Sequence, residues 1–126
     1  MGIRGWGPYL ASAFEQAALA MTAVICDLQD VRLATTIRIE CDGQDDEFLL
    51  VNWIDALVYE MATRSMLFGR FRVSISDGHL VAEVSGEPID VARHQPAVEI
   101  KGATLTNLRV YQDAHGHQVA QCIVDV

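Results

Sequence analysis

Two alternating runs, Phe68-Gly69-Arg70-Phe71-Arg72-Val73-Ser74-Ile75 and His79-Leu80-Val81-Ala82-Glu83-Val84-Ser85-Gly86, flank Asp77-Gly78. Alternation of apolar and polar side chains is the signature of a strand with one buried face. Asp-Gly is the dipeptide that a two-residue hairpin with positive φ demands. This segment therefore has to be an antiparallel hairpin, and the rest of the chain must supply what covers its apolar face.

Two helices are predicted to do so. Leu10, Phe14, Ala17, Met21 and Val24 recur with the 3.6-residue period, with Ala13, Ala18 and Ile25 beside them. The small residues of that helix let it lie close against a sheet. The second helix is predicted from about Phe48 to Ser65, with Leu50, Trp53, Ile54, Leu57, Val58 and Met61 as its core face. Asp45, Asp46 and Glu47 precede it, where the helix dipole favours negative charge. Trp53 lies on the apolar stripe and reads as a core anchor.

Further strands are predicted at Ile3–Trp6, Val31–Glu40, Thr104–Tyr111 and His117–Val126, with turns at Cys41–Gly43 and Asp113–Gly116. In the second of these Val31, Leu33, Thr35, Ile37 and Ile39 share one face. The expected fold is α+β: two helices packed on a mainly antiparallel sheet, with residues 1–126 forming one domain. Between the hairpin and the Thr104 strand runs a long connection from Gly86. It carries Glu87, Asp90, Arg93, His94, Glu99 and Lys101 and two of the three prolines. Long charged connections are more often functional than chain reversals, although a plain solvated loop has the same composition.

The formal charge of −8 repels phosphates at long range, so strong direct binding of nucleic acid is not expected. Cys26, Cys41 and Cys122 are odd in number and lack C-x-x-C spacing. They are expected to be free thiols of a cytoplasmic protein. The apolar region Phe48–Phe68 is interrupted by Asn52, Asp55, Glu60 and Arg64 and is not a membrane span. No nucleophile elbow or phosphate loop is present. His115 and His117 flank a turn glycine and could share a metal; polar turn surface is the plainer account, as it is for His79. His94 could serve as a base, or simply hydrogen-bond to the backbone of its own loop. At the C-terminus, Asp125 and the carboxylate of Val126 place hard anionic oxygens on adjacent residues. A divalent cation would relieve their repulsion, and a solvated chain end is the competing account.

Taken together these pieces resemble the archease family, whose members assist the tRNA-splicing RNA ligase. The resemblance rests on Gly2-Ile3-Arg4-Gly5-Trp6-Gly7, on Ala13 to Met21, and on Leu67-Phe68 leading Phe71-Arg72-Val73. It continues through Gly86-Glu87-Pro88-Ile89-Asp90, Arg93-His94, Glu99-Ile100-Lys101 and Thr104 to the ending Ile123-Val124-Asp125-Val126. It implies an accessory protein, not an enzyme, that promotes guanylylation and multiple turnover of the ligase in tRNA splicing or RNA repair. It also implies a divalent cation, Ca²⁺ or in its place Mg²⁺, with Asp125 and Val126 among the ligands. Glu87, His94, Glu99 and Lys101 match the family's loop and would line the rim of that site or face the ligase. Family members carry a D-H-T-A-D-like segment just before the Gly2 match, so the expected upstream Asp ligand is missing from this chain. Lys101–Thr106 also departs from the family, which more often has Lys-Ala-x-Thr followed by Tyr and His. The alternative is a cation-stabilised protein-binding or chaperone-like module without ligase activation. A metal-dependent hydrolase with His94 as base is the remaining enzymatic reading.

Overall fold

The first strand and the first helix approach each other backbone to backbone. In the computed structural model, which describes residues 1–126, β1 (Gly2–Gly7) is covered on one face by α1 (Leu10–Ile25). A Cβ at Gly5 would sit 2.1 Å from the Ala17 nitrogen and 2.3 Å from the Ala13 carbonyl oxygen. Only glycine on the strand and alanines on the helix permit that approach. The small-residue stripe of α1 thus lies where its sequence places it.

A 3₁₀ turn (Leu28–Asp30) follows, then β2 (Thr35–Asp42), α2 (Asp46–Arg64), β3 (Met66–Ser76) and β4 (His79–Pro88). The β3–β4 hairpin turns at Asp77 (φ 51°) and Gly78 (φ 74°), both left-handed as the sequence requires. A four-residue helix α3 (Val91–His94) and the short strands β5 (Gly102–Ala103), β6 (Arg109–Gln112) and β7 (Gln118–Asp125) complete the chain. Every pairing is antiparallel. The strands form two sheets, one ordered β2-β4-β3 and the other built on β7, which pairs β1 on one side and β5 and β6 on the other. The α+β expectation holds, with two sheets sharing the helices instead of one.

A single apolar cluster joins the layers, with Phe14, Met21, Leu50, Trp53, Leu57, Phe68 and Val84 at most 1% exposed. Trp53 is the core anchor: its indole N–H donates to the Phe14 carbonyl at 3.1 Å and its ring meets Phe71 edge to face. Asp45 caps α2 by accepting from the Phe48 N–H at 2.8 Å.

Two strands and one helix face differ from the sequence-based expectation. The strand expected from Val31 begins at Thr35, because Val31 closes the 3₁₀ turn and is buried against Gly69, while Leu33 stays exposed. The strand expected over Thr104–Tyr111 is broken. Thr104 donates its hydroxyl to Ile123 O and accepts from Thr106 N, and Asn107 adopts a left-handed φ of 53°. Such side-chain turns compete with a sheet ladder, so only β5 and β6 remain. Finally, Val58 and Met61 are only partly buried, because they line a cavity between α2 and the loop after β4.

Candidate functional site

The connection after Gly86 starts as the end of β4, where Glu87 pairs with Leu67, then turns into α3 and descends in extended form to β5. Its anchor is a buried polar triad. The Glu87 carboxylate accepts from the Arg32 backbone N–H at 2.6 Å, from His94 Nε2 at 3.0 Å and from the Arg93 guanidinium. Arg93 also donates to Asp30 O at 2.6 Å, tying the loop to the 3₁₀ turn. His94 Nδ1 accepts from the Asp90 backbone N–H at 2.8 Å, so Nε2 carries the ring proton and donates to Glu87. The Arg93 guanidinium, then the Arg32 N–H, hold the Glu87 carboxyl down at about 2. Asp90 caps α3 through the Arg93 N–H.

Both Glu87 oxygens and both His94 nitrogens are bonded inside the fold, and no buried side-chain polar atom is left unpaired. The His94 side chain is fully buried. Its basic nitrogen is committed to the Asp90 N–H, so His94 cannot serve as the base of a hydrolase. The triad does a different job: it fixes the start of the loop so that the remainder lies across α2.

That remainder encloses a cavity of about 470 Å³ lined mainly by apolar side chains, among them Val58, Met61, Leu67, Ile89 and Val98, with Glu99 at its edge. Beyond it, the exposed Lys101 donates its backbone N–H to Asp125 O at 2.7 Å, and Gly102 pairs with Asp125. The loop therefore runs from the triad to the C-terminus. Of the four residues expected at its rim, Glu87 and His94 come together and face inward. Glu99 and Lys101 are exposed along the descending segment. The sequence marked these charges but could not sort them by burial, because Glu87 ends a strand and His94 closes a short helix seven residues on.

Asp125 and Val126 are exposed at the end of β7. Their carboxylates are hard oxygen donors of the type Ca²⁺ and Mg²⁺ prefer, but no third Asp, Glu, His or Cys side chain joins them. They supply part of an oxygen shell, and water or a further acid would have to supply the rest. The β1–β7 ladder continues to Met1, whose carbonyl accepts from Val124 N at 2.8 Å. A residue preceding Met1 would stand opposite Asp125.

The other candidates resolve plainly. His79 lies between Asp42 (2.5 Å) and Glu40 (3.3 Å) at the turn end of its hairpin. The backbone N–H groups of His115 and His117 both donate to Asp113, and the two rings stand 6.4 Å apart. All three cysteines are free, and burial pushes the Cys41 and Cys122 thiols up to about 11, far from a reactive thiolate. No helix is long and apolar enough to cross a membrane.

The fold and site define a layered α+β protein whose charged loop is a self-satisfied clamp beside an apolar cavity, with no assembled catalytic constellation. Residues 1–126 match the Archease protein family (MTH1598/TM1083). The chain is 33% identical to the protein archease of Pyrococcus furiosus over all of this chain and 92% of that protein. It is 34% identical to that of Methanothermobacter thermautotrophicus over 99% and 91% of the two chains. The solution structure of Methanobacterium thermoautotrophicum protein 1598 superposes with a TM-score of 0.79 at 29% identity, covering 99% and 91%. The Thermotoga maritima crystal structure described as an archease and possible chaperone shares the fold at 12% identity, with a TM-score of 0.61 over 100% and 90%. This chain belongs to the archease family.

Proposed function

We propose that this chain is a cytoplasmic accessory protein that promotes guanylylation and repeated turnover of the tRNA-splicing RNA ligase, in tRNA splicing or RNA repair. The observation that carries the reading is family membership across the whole chain. The geometry suits it: the clamp presents a preformed surface of loop and C-terminus and assembles no nucleophile, base and oxyanion hole of its own. In this reading Glu99, Lys101 and the C-terminal end face the ligase, while Glu87 and His94 hold that surface in shape. Asp125 and Val126 would hold a divalent cation, Ca²⁺ or Mg²⁺, neutralising the negative end of β7.

The test is multiple-turnover RNA ligation by the cognate ligase with and without this protein. Stimulation is expected, and Asp125→Ala should weaken it. Prefixing an Asp-containing D-H-T-A-D segment to Met1 should increase the rise in melting temperature on adding Ca²⁺, because a cation bound only by the folded state stabilises it. The apolar cavity favours a second reading, a protein-binding or chaperone-like module without ligase activation. Flat ligation together with Ca²⁺-dependent stabilisation would decide for that module.

A further inference from the structure

The face of the β7 sheet opposite α1 carries a second, separate surface. Because Ile3, Gly5 and Gly7 turn inward to the helix, Arg4 and Trp6 point away from it. Residues opposed across antiparallel strands share a face, so the registers set two rows. One row is Arg4–Gln121–Arg109; the other is Trp6–Val119–Tyr111. The arginines flank Gln121 about 10 Å apart, two strand spacings.

The side chains are arranged as an open platform. Trp6 is 57% exposed and meets the His117 ring at 5.1 Å. The Arg109 guanidinium lies over Tyr111, 4.1 Å from the ring centre. Val119, between the two aromatics, is only 4% exposed beneath these larger neighbours. Arg4 donates Nε to Gln121 Oε1 at 3.2 Å, which orients its guanidinium and leaves both terminal nitrogens free. Neither Arg4 nor Arg109 is within ion-pair distance of any acid, in a chain with 17 acidic residues and only 9 Lys and Arg. Asp113, near the end of this face, accepts the backbone N–H groups of His115 and His117. Beside the arginine row lies a polar hollow of about 340 Å³ lined by Gly2, Arg4, Asn107, Gln121 and Ile123.

Two unpaired guanidinium groups, one exposed indole and one Arg–Tyr stack match a ligand that is anionic at regular intervals and flat in between. We propose that this face docks a short single-stranded RNA segment, with phosphates on Arg4 and Arg109 and bases stacked on Trp6 and on the Arg109–Tyr111 pair. Exposed sheet aromatics flanked by arginines are how single strands are held without sequence readout. The choice of RNA rests on the ligase reading above; the surface itself rests on geometry alone. The chain-wide charge of −8 keeps the binding weak, with a Kd on the order of 10⁻⁴ M at low salt.

The test is fluorescence anisotropy of a labelled single-stranded RNA decamer titrated with the intact protein, repeated with a DNA decamer and an RNA duplex. Binding should fall with a log–log salt slope of about −1.4, two phosphates at about −0.7 each. R4Q/R109Q should bring that slope close to zero, and Trp6→Ala should weaken binding about tenfold. R38Q/R72Q on the other sheet is the control and should change neither. No binding, binding indifferent to both patch variants, or preference for duplex or for DNA overturns the proposal. So does a patch variant that leaves RNA binding unchanged but loses association with the ligase, since the face would then be a protein interface. RNA binding without ligase stimulation would uphold this surface while removing the accessory role. Stimulation without RNA binding would do the reverse.

Discussion

Arginine plays opposite parts in two regions of this molecule. At the start of the loop, the Arg93 guanidinium is held by the Glu87 carboxylate and the Asp30 carbonyl, in a triad with no buried polar atom left unpaired. On the sheet face, Arg4 and Arg109 have no acid partner at all. A charge taken out of water must be paired, because desolvation is costly, whereas one left at the surface loses little by staying single. Pairing that is complete inside the fold builds shape; pairing left open offers binding. Charge alone identifies neither, and only the partners present within reach separate a clamp from a docking surface.

Gly5→Val should destabilise the fold by about 3 kcal/mol, read by urea unfolding, since the new side chain meets helix backbone that cannot rotate away. An unchanged midpoint would mean that α1 does not hold the sheet face in place. His94→Ala leaves Glu87 and the Asp90 N–H short of a partner in a buried site and should cost about 1–3 kcal/mol. The same substitution should open the loop, seen as faster amide exchange over residues 87–101. A loss of stability without that local opening would contradict the clamp.

The Glu87 triad also has a pH signature. Its carboxyl is depressed from 4.5 to about 2, so its stabilisation is complete above about pH 4.5 and is lost as pH falls through 2. Glu87→Gln should flatten the melting temperature against pH in that window relative to the parent, and an equally steep profile would place the acid sensitivity elsewhere. Smallest of all, R4Q/R109Q should move stability by no more than about 0.5 kcal/mol, because these side chains are exposed and unpaired. A larger loss would mean that the open face is structural after all.

Much of the fold was legible in the residues. The Asp77-Gly78 hairpin, the alanine-rich packing stripe of α1, the acidic start of α2 and the buried Trp53 follow from local rules that operate within a few residues. The misplaced strand ends at Val31 and Thr104 were lost because tertiary contacts decided them. Val31 was drawn into the core beside Gly69, and Thr104 turned its hydroxyl to Ile123, nineteen residues away in sequence. For the site, the order Glu87, Asp90, Arg93, His94 was visible, but its inward direction was not. That direction depends on the Arg32 N–H and Asp30 carbonyl, which reach the loop from far earlier in the chain.

The sequence by itself therefore determined the two long helices, the central hairpin, their apolar faces and the family, since periodicity and turn chemistry are properties of neighbouring residues. Only the tertiary structure decided which charges are spent and which stay free. Glu87 and Arg93 are only six residues apart, but the Arg32 N–H and the Asp30 carbonyl that hold the pair in place come from 55 and 63 positions away. Water is excluded, and pairing enforced, only where such distant segments close over one another.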